Sequence, residues 1–181
     1  MKIKFASYMI ILSFILSLPL SANTISPYSG EQHRNIKALS PSDIQSLEAG
    51  KGWGLAKSAE LNGVPGPAHL LELKNQIHLS AQQVEAIQAV WNAMNRSAIE
   101  HGRRYLATET KIEQFFAETN NDEETLNTLL KKAAEQLATL RYVHLKAHLQ
   151  VKPLLTKQQI FQYQALRGYS DKRDHHQSHQ H

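Results

Sequence analysis

The 181-residue chain contains no cysteine. That absence removes thiol catalysis, cysteine-based zinc sites and disulfide staples, so the fold has to be held by packing or by association with a second copy. Methionine is nearly absent too: Met1 and Met9 lie at the N-terminus and only Met94 lies beyond it, which argues against a Met-rich copper(I) site. No strand-like alternation of apolar and polar residues survives a pass along the chain. Catalytic signatures are missing as well. There is no GxSxG elbow, P-loop, dinucleotide-binding glycine turn or HExxH pair, and the spacing of Gly54, Gly63 and Gly66 fits none of them. A helical hairpin without an enclosed pocket would have little with which to exclude water from a reaction, so the expectation is a protein that is not an enzyme.

Charge of one sign is also lacking. Twenty Lys and Arg stand against 16 Asp and Glu, and two of the cations, Lys2 and Lys4, belong to the N-terminal segment. The remainder is close to neutral and carries no basic stripe of the kind that tracks phosphates, so no nucleic-acid partner is expected. The ten histidines add positive charge only toward acid pH.

What the N-terminus does have is a basic start, Met1-Lys2-Ile3-Lys4, an apolar run from Phe5 to Leu20, and a small-residue exit at Ser21-Ala22. This reads as a signal peptide over residues 1–22, with an uncleaved membrane anchor as the alternative. Residues 23–39 mix Ser, Asn, Pro, Gly and charge without an apolar period and are expected to be a disordered leader. Residues 40–169 read as one helical domain, and residues 170–181 as a His-rich disordered tail.

Within the domain, Ser40-Pro41 has the form of an N-cap followed by a first-turn proline, opening a short helix that ends at Gly50. Further short helices are expected over 55–61 and 68–77, separated by Asn62-Gly63 and Pro65-Gly66-Pro67. From Val84 the stripe Val84, Ile87, Trp91, Met94, Ala98, His101, Tyr105, Thr108, Ile112 and Phe115 steps by three and four, the pattern of a heptad seam on a helix of about 38 residues. Thr119-Asn120-Asn121 interrupts it, and Asp122 caps a second seam through Leu126, Leu130, Ala133, Leu137, Leu140, His144, Ala147 and Val151. Pro153 ends that arm, and a last helix carries Ile160, Tyr163 and Leu166 up to Gly168. The fold class is therefore all-α: a long antiparallel helical hairpin with short flanking helices. Trp91, Tyr105, Phe115 and Phe116 supply more apolar surface than one seam partner covers, which predicts a homodimer.

Two helix starts share one pattern. Leu79-Ser80-Ala81-Gln82-Gln83 and Leu155-Thr156-Lys157-Gln158-Gln159 are both capping boxes, in which the Ser80 or Thr156 hydroxyl accepts from the third helical amide and Gln83 or Gln159 reaches back to the cap. Two such boxes separated by a helical hairpin behind a secretion signal resemble the LTxxQ repeats of the Spy/CpxP family of periplasmic stress proteins, which also contains zinc-resistance-associated proteins and periplasmic metal sensors. The resemblance spans roughly residues 67–169. It implies a cradle-like dimer in the periplasm that holds unfolded envelope proteins without ATP and needs no cofactor. By residue type, Arg103, Arg104, Arg141 and His148 match the basic, partly apolar client-binding surface of such chaperones. The segment from Ala59 to Pro67 is similar to one in a branch of the same family, with no role attached to it.

A second function is legible in the histidines. His144 and His148 lie at i and i+4 on one helix face, and His101 on the facing seam falls about one turn away, so a three-His cluster for zinc or another divalent transition metal is conceivable. Four more imidazoles, His175, His176, His179 and His181, crowd the last eight residues with Asp174 and would suit zinc, nickel or copper. A metal-binding resistance or sensor protein is thus the alternative to the chaperone. By the same resemblance, a sensor of this kind would work through a partner kinase or an anti-sigma protein. A third reading is an adaptor that inhibits a sensor kinase by docking its helical surface.

Overall fold

The computed structural model describes residues 25–119 and 121–169. The chain divides into two units, Met1–Gly30 and Glu31–His181. The described part of the first, residues 25–30, is a turn in which the Ser29 amide donates to the Ser26 carbonyl at 3.0 Å. In the second, every regular element among the described residues is helical: α1 Pro41–Glu48, α2 Lys57–Glu60, α3 Pro67–Glu72, α4 Ala81–Ala117, α5 Glu123–Val151 and α6 Lys157–Leu166, with single 3₁₀ turns at Glu31–His33 and Lys152–Leu154.

The two arms form the expected hairpin. At 37 and 29 residues, α4 and α5 run about 55 and 44 Å at 1.5 Å per residue. Their antiparallel sense follows from the core. Ile87, near the start of α4, shares a cluster with Val151 at the end of α5, whereas Ala98, Tyr105 and Leu106 share one with Ala133 and Leu140. The link between the arms is short because Asp122 caps α5 at once, its side chain accepting from the Thr125 amide at 2.8 Å.

Short elements cover the rest of the hairpin's apolar surface. α1 is opened by its own capping box, Ser40 with Asp43, and buries Leu47 to 1% exposure. Its backbone approaches α4 at Gly102, where an added methyl group would come within 2.6 Å of the Leu47 carbonyl oxygen. Glycine weakens a helix interior by about 1 kcal/mol relative to alanine, and here it is what lets two backbones meet. α3 and α6 pack at the other end of the hairpin around Leu70, Ile77 and Tyr163, all at 0% exposure.

Several boundaries differ from the sequence reading. α3 ends at Glu72 rather than continuing to Ile77, because residues 73–78 turn back on themselves, with Leu79 donating to the Lys74 carbonyl, to bring the Leu79 box to the end of the arm. The leader was expected to be disordered through Leu39. From Glu31 it is instead packed: Ile36 and Leu39, three residues apart, are buried in the α1–α4–α5 core, and Lys37 donates to Glu113 from both its amide and its ammonium at 2.8 Å. The signal segment 1–22 and the tail 170–181 lie outside the described residues.

Candidate functional site

The two repeated boxes meet. Each box is made locally, with Ser80 accepting from the Gln83 amide at 3.2 Å and Thr156 accepting from the Gln159 amide at 3.1 Å. Each glutamine oxygen accepts in turn from its own cap amide at 2.9 Å. The carboxamides then pair across 76 positions of chain, Gln83 Nε2 donating to Gln159 Oε1 at 2.9 Å and Gln159 Nε2 to Gln83 Oε1 at 3.0 Å. Their second donors go to equivalent main-chain oxygens: Gln83 to Leu154 at 2.7 Å and Gln159 to His78 at 3.3 Å. Leu154 and His78 are in each case the residue before the motif leucine, so the contact is locally two-fold. Every donor and acceptor of the two side chains is used. Leu79 and Leu155 pack on the adjoining cluster, and the pair ties the start of α4 to the start of α6.

Beside this clamp the short N-terminal helices do not close completely over the arms. They leave a cleft of about 760 Å³ whose lining comes from the loop after α1, from α2 and α3, from both arms and from the segment after α6. A cleft of this size falls within the roughly 300–1,000 Å³ usual for ligand sites, although it is open to solvent on one side rather than enclosed. Trp53 and Trp91, the chain's two tryptophans, both line it, together with Met94. Trp53 is held with φ at 43°, a left-handed conformation uncommon outside glycine. Its indole N–H donates to Asp43 at 2.8 Å, and Gly50 and Gly54 flank it with positive φ of their own.

The polar part of the cleft is built by the segment from Glu60 to Pro67. Tyr163, fully buried, donates its hydroxyl to Glu60 Oε1, and burial followed by that bond pushes the phenol far above its ordinary range. Arg167 Nε lies 3.4 Å from the same oxygen. The Val64 carbonyl receives His148 Nδ1 at 2.8 Å. A carbonyl oxygen can only accept, so Nδ1 carries the hydrogen and Nε2 of the neutral ring is left as a lone pair. Gly66 sits between the two side chains. A methyl group there would lie 2.8 Å from His148 Nε2 and 3.6 Å from Glu60 Oε2. One turn earlier, His144 also lines the cleft. Its Nε2 is buried without a partner, and desolvation, reinforced by the neighbouring His148, lowers its pKa from 6.5 to about 4.

The expected site residues therefore divide. Leu79, Ser80, Gln83, Leu155, Thr156 and Gln159 come together in the clamp. Arg103, Arg104 and Arg141 are exposed, with Arg104 paired to Glu100. His148 does not join them on an open face, since it is 6% exposed and lies in the cleft. His144 and His148 are neighbours as predicted, but among the described residues no three His, Cys, Asp or Glu side chains are gathered so as to hold a metal ion. The His101–His144–His148 cluster is thus not assembled among the described residues. His175, His176, His179 and His181 lie outside the described residues.

Trp53, Glu60, Gly66 and Arg167 were not singled out as site residues from the sequence. The dense Asn62-Gly63-Val64-Pro65-Gly66-Pro67 run was the available signal, since a run that stops helices twice in six residues has to do something other than connect them. No helix among the described residues is long and apolar enough to cross a membrane. Comparison with family models, with curated proteins and with solved structures finds no match for this chain.

Proposed function

We propose that this protein is a periplasmic, ATP-independent chaperone that holds unfolded envelope proteins as a homodimer. The observation that carries the reading is the amount of large apolar surface left open on a helical scaffold whose core is otherwise well filled. Tyr142, Leu149, Phe161 and Phe116 are 61–67% exposed. Cations stand among them: Arg141 is exposed beside Tyr142, and Lys146 Nζ lies 6.0 Å from the centre of the Tyr142 ring. Tyr142 and Leu149, seven residues apart on α5, give one helix face exposed apolar side chains accompanied by charge, the composition of an interaction surface. Charge hastens encounter with an unfolded chain, and weak apolar contacts then retain it without demanding one sequence. The secretion-type N-terminus and the paired LTxxQ-like boxes point the same way by resemblance.

The test is aggregation of a chemically denatured client diluted into buffer with equimolar protein, with chelator present and ATP absent. Suppression of light scattering is expected. Scattering that is unchanged under these conditions, and is suppressed only after zinc is added, would replace this reading with a metal-dependent one.

A further inference from the structure

Two acceptors among the residues that line the cleft make no hydrogen bond within the described chain. Because Nδ1–H of His148 is engaged by the Val64 carbonyl, the neutral tautomer has its lone pair on Nε2, and Glu60 Oε2 is left over because Tyr163 and Arg167 both address Oε1. Both groups are tethered at their far side, so neither is free to swing toward a partner elsewhere, and the missing side chain of Gly66 leaves uncrowded a His148 ring edge that a methyl group would meet at 2.8 Å. Acceptors fixed beside an apolar wall favour a ligand that brings its own N–H donors. The charges around the cleft do not ask for an ion. Lys51, Lys57 and Arg167 face Glu60 and Glu72, a nearly even balance that selects neither an anion nor a cation.

We infer that the cleft is a binding site for a short extended peptide segment, whose main-chain amides donate to His148 Nε2 and Glu60 Oε2 while a large apolar side chain packs against Trp53 and Trp91. Successive same-side amides of an extended chain stand roughly 6.6 Å apart at 3.3 Å per residue, so one segment can address two separate acceptors. Recognition through the main chain with an adaptable apolar contact is sequence-tolerant, and the Met94 thioether in the wall suits side chains of different shape. The inference rests on the chaperone reading for its biological ligand, an unfolded client. Its chemistry is independent of that reading.

The two tryptophans are the chain's whole indole fluorescence and both line the cleft, so emission reports occupancy directly. The probe is the uncharged peptide N-acetyl-Gly-Leu-Phe-Gly-amide, titrated against the full chain, beside the same peptide N-methylated at its Leu and Phe amides. Saturable change in emission with the first peptide is expected, with affinity about tenfold weaker for the N-methylated one: adjacent amides of an extended chain face opposite sides, so in either register the two methyl groups remove one of the two hydrogen bonds. The Gly66→Ala variant is expected to weaken the first peptide similarly while its thermal midpoint and circular dichroism show it folded. If that variant fails to fold, the pair of peptides decides alone. Equal affinity for both peptides, or no saturation with either, overturns the inference. Aggregation assays run in parallel separate the two claims. Suppression of client aggregation without peptide binding leaves the chaperone reading standing and removes the cleft as its site; peptide binding without suppression removes the chaperone reading and keeps the cleft.

Discussion

The two ends of the hairpin are built from the same amphipathic pattern and reach opposite results. At the open end, Leu70, Ile77, Ile87, Val151 and Tyr163 are all at 0% exposure. At the turn end, Phe116 is 61% and Leu130 50% exposed, although Leu130 lies on the predicted seam. The difference is the third layer. α3, α6 and the segment from Glu60 to Pro67 close the open end, while toward the turn the leader reaches only as far as Ile112 and Glu113, and beyond them the arms have each other and the Asp122 cap. A heptad stripe therefore says which face of a helix is apolar. What covers it is decided by elements distant in sequence.

The sharpest way to break the comparison is to cut the clamp. Gln159→Ala strips Gln83 of its partner and leaves the His78 carbonyl without its side-chain donor. With buried polar groups each costing about 1–3 kcal/mol when left unpaired, a loss of about 3 kcal/mol is expected in urea denaturation. The Gln83→Ala/Gln159→Ala double variant should cost less than the two single changes together by about 1 kcal/mol or more, since the second change removes a group already orphaned. Strict additivity would mean that the amide pair is incidental and each box acts alone.

That clamp also shows how far the sequence could be read. The boxes, the arms and their caps were legible because each is made by residues three or four positions apart. The pairing of Gln83 with Gln159 was not, because a repeat gives residue types and no partner. The cleft was less legible still. Trp53, the Glu60–Gly66 segment, His148 and Arg167 come from four separate stretches, and no local spacing links them. His148 was misread for the same reason: helical periodicity put it near His144, but its environment is set by the Val64 carbonyl, 84 positions away. The packed leader escaped notice because Ile36 and Leu39 are only two apolar residues in a polar stretch, and their value depends on α1, α4 and α5 being there to receive them.

A second expected difference between the ends is in their response to acid, because the buried imidazole belongs to the covered part of the hairpin. His144 is 3% exposed and its pKa in the folded protein is about 4, against 6.5 for the free side chain. The unfolded chain therefore binds a proton between these values that the folded one refuses. Stability contributed by the neutral ring is complete above about pH 6.5 and is lost as pH falls toward 4, up to about 3 kcal/mol. Urea midpoints at pH 7.5, 5.5 and 4.5 measure it. The drop is expected to flatten in His144→Leu, which has no proton to take up. An equal drop in that variant would place the acid sensitivity elsewhere.

The smallest effect is expected at the turn, and its form matters more than its size. Phe116 touches Phe115 edge-on, with ring centres 5.2 Å apart, but the rest of its ring is exposed. Within one copy, Phe116→Ser should cost less than about 1 kcal/mol, as for exposed side chains with one aromatic neighbour. The hairpin's uncovered surface is also where a second copy would find the apolar area that its own chain leaves open. If Phe116 lies in the contact between copies, the cost of Phe116→Ser grows with protein concentration, because association stabilises the folded state by mass action. Denaturation of both proteins at about 1 and 100 μM separates the cases. A concentration-independent difference means that the turn end stays bare, and that the dimer, where it forms, is made along the arms.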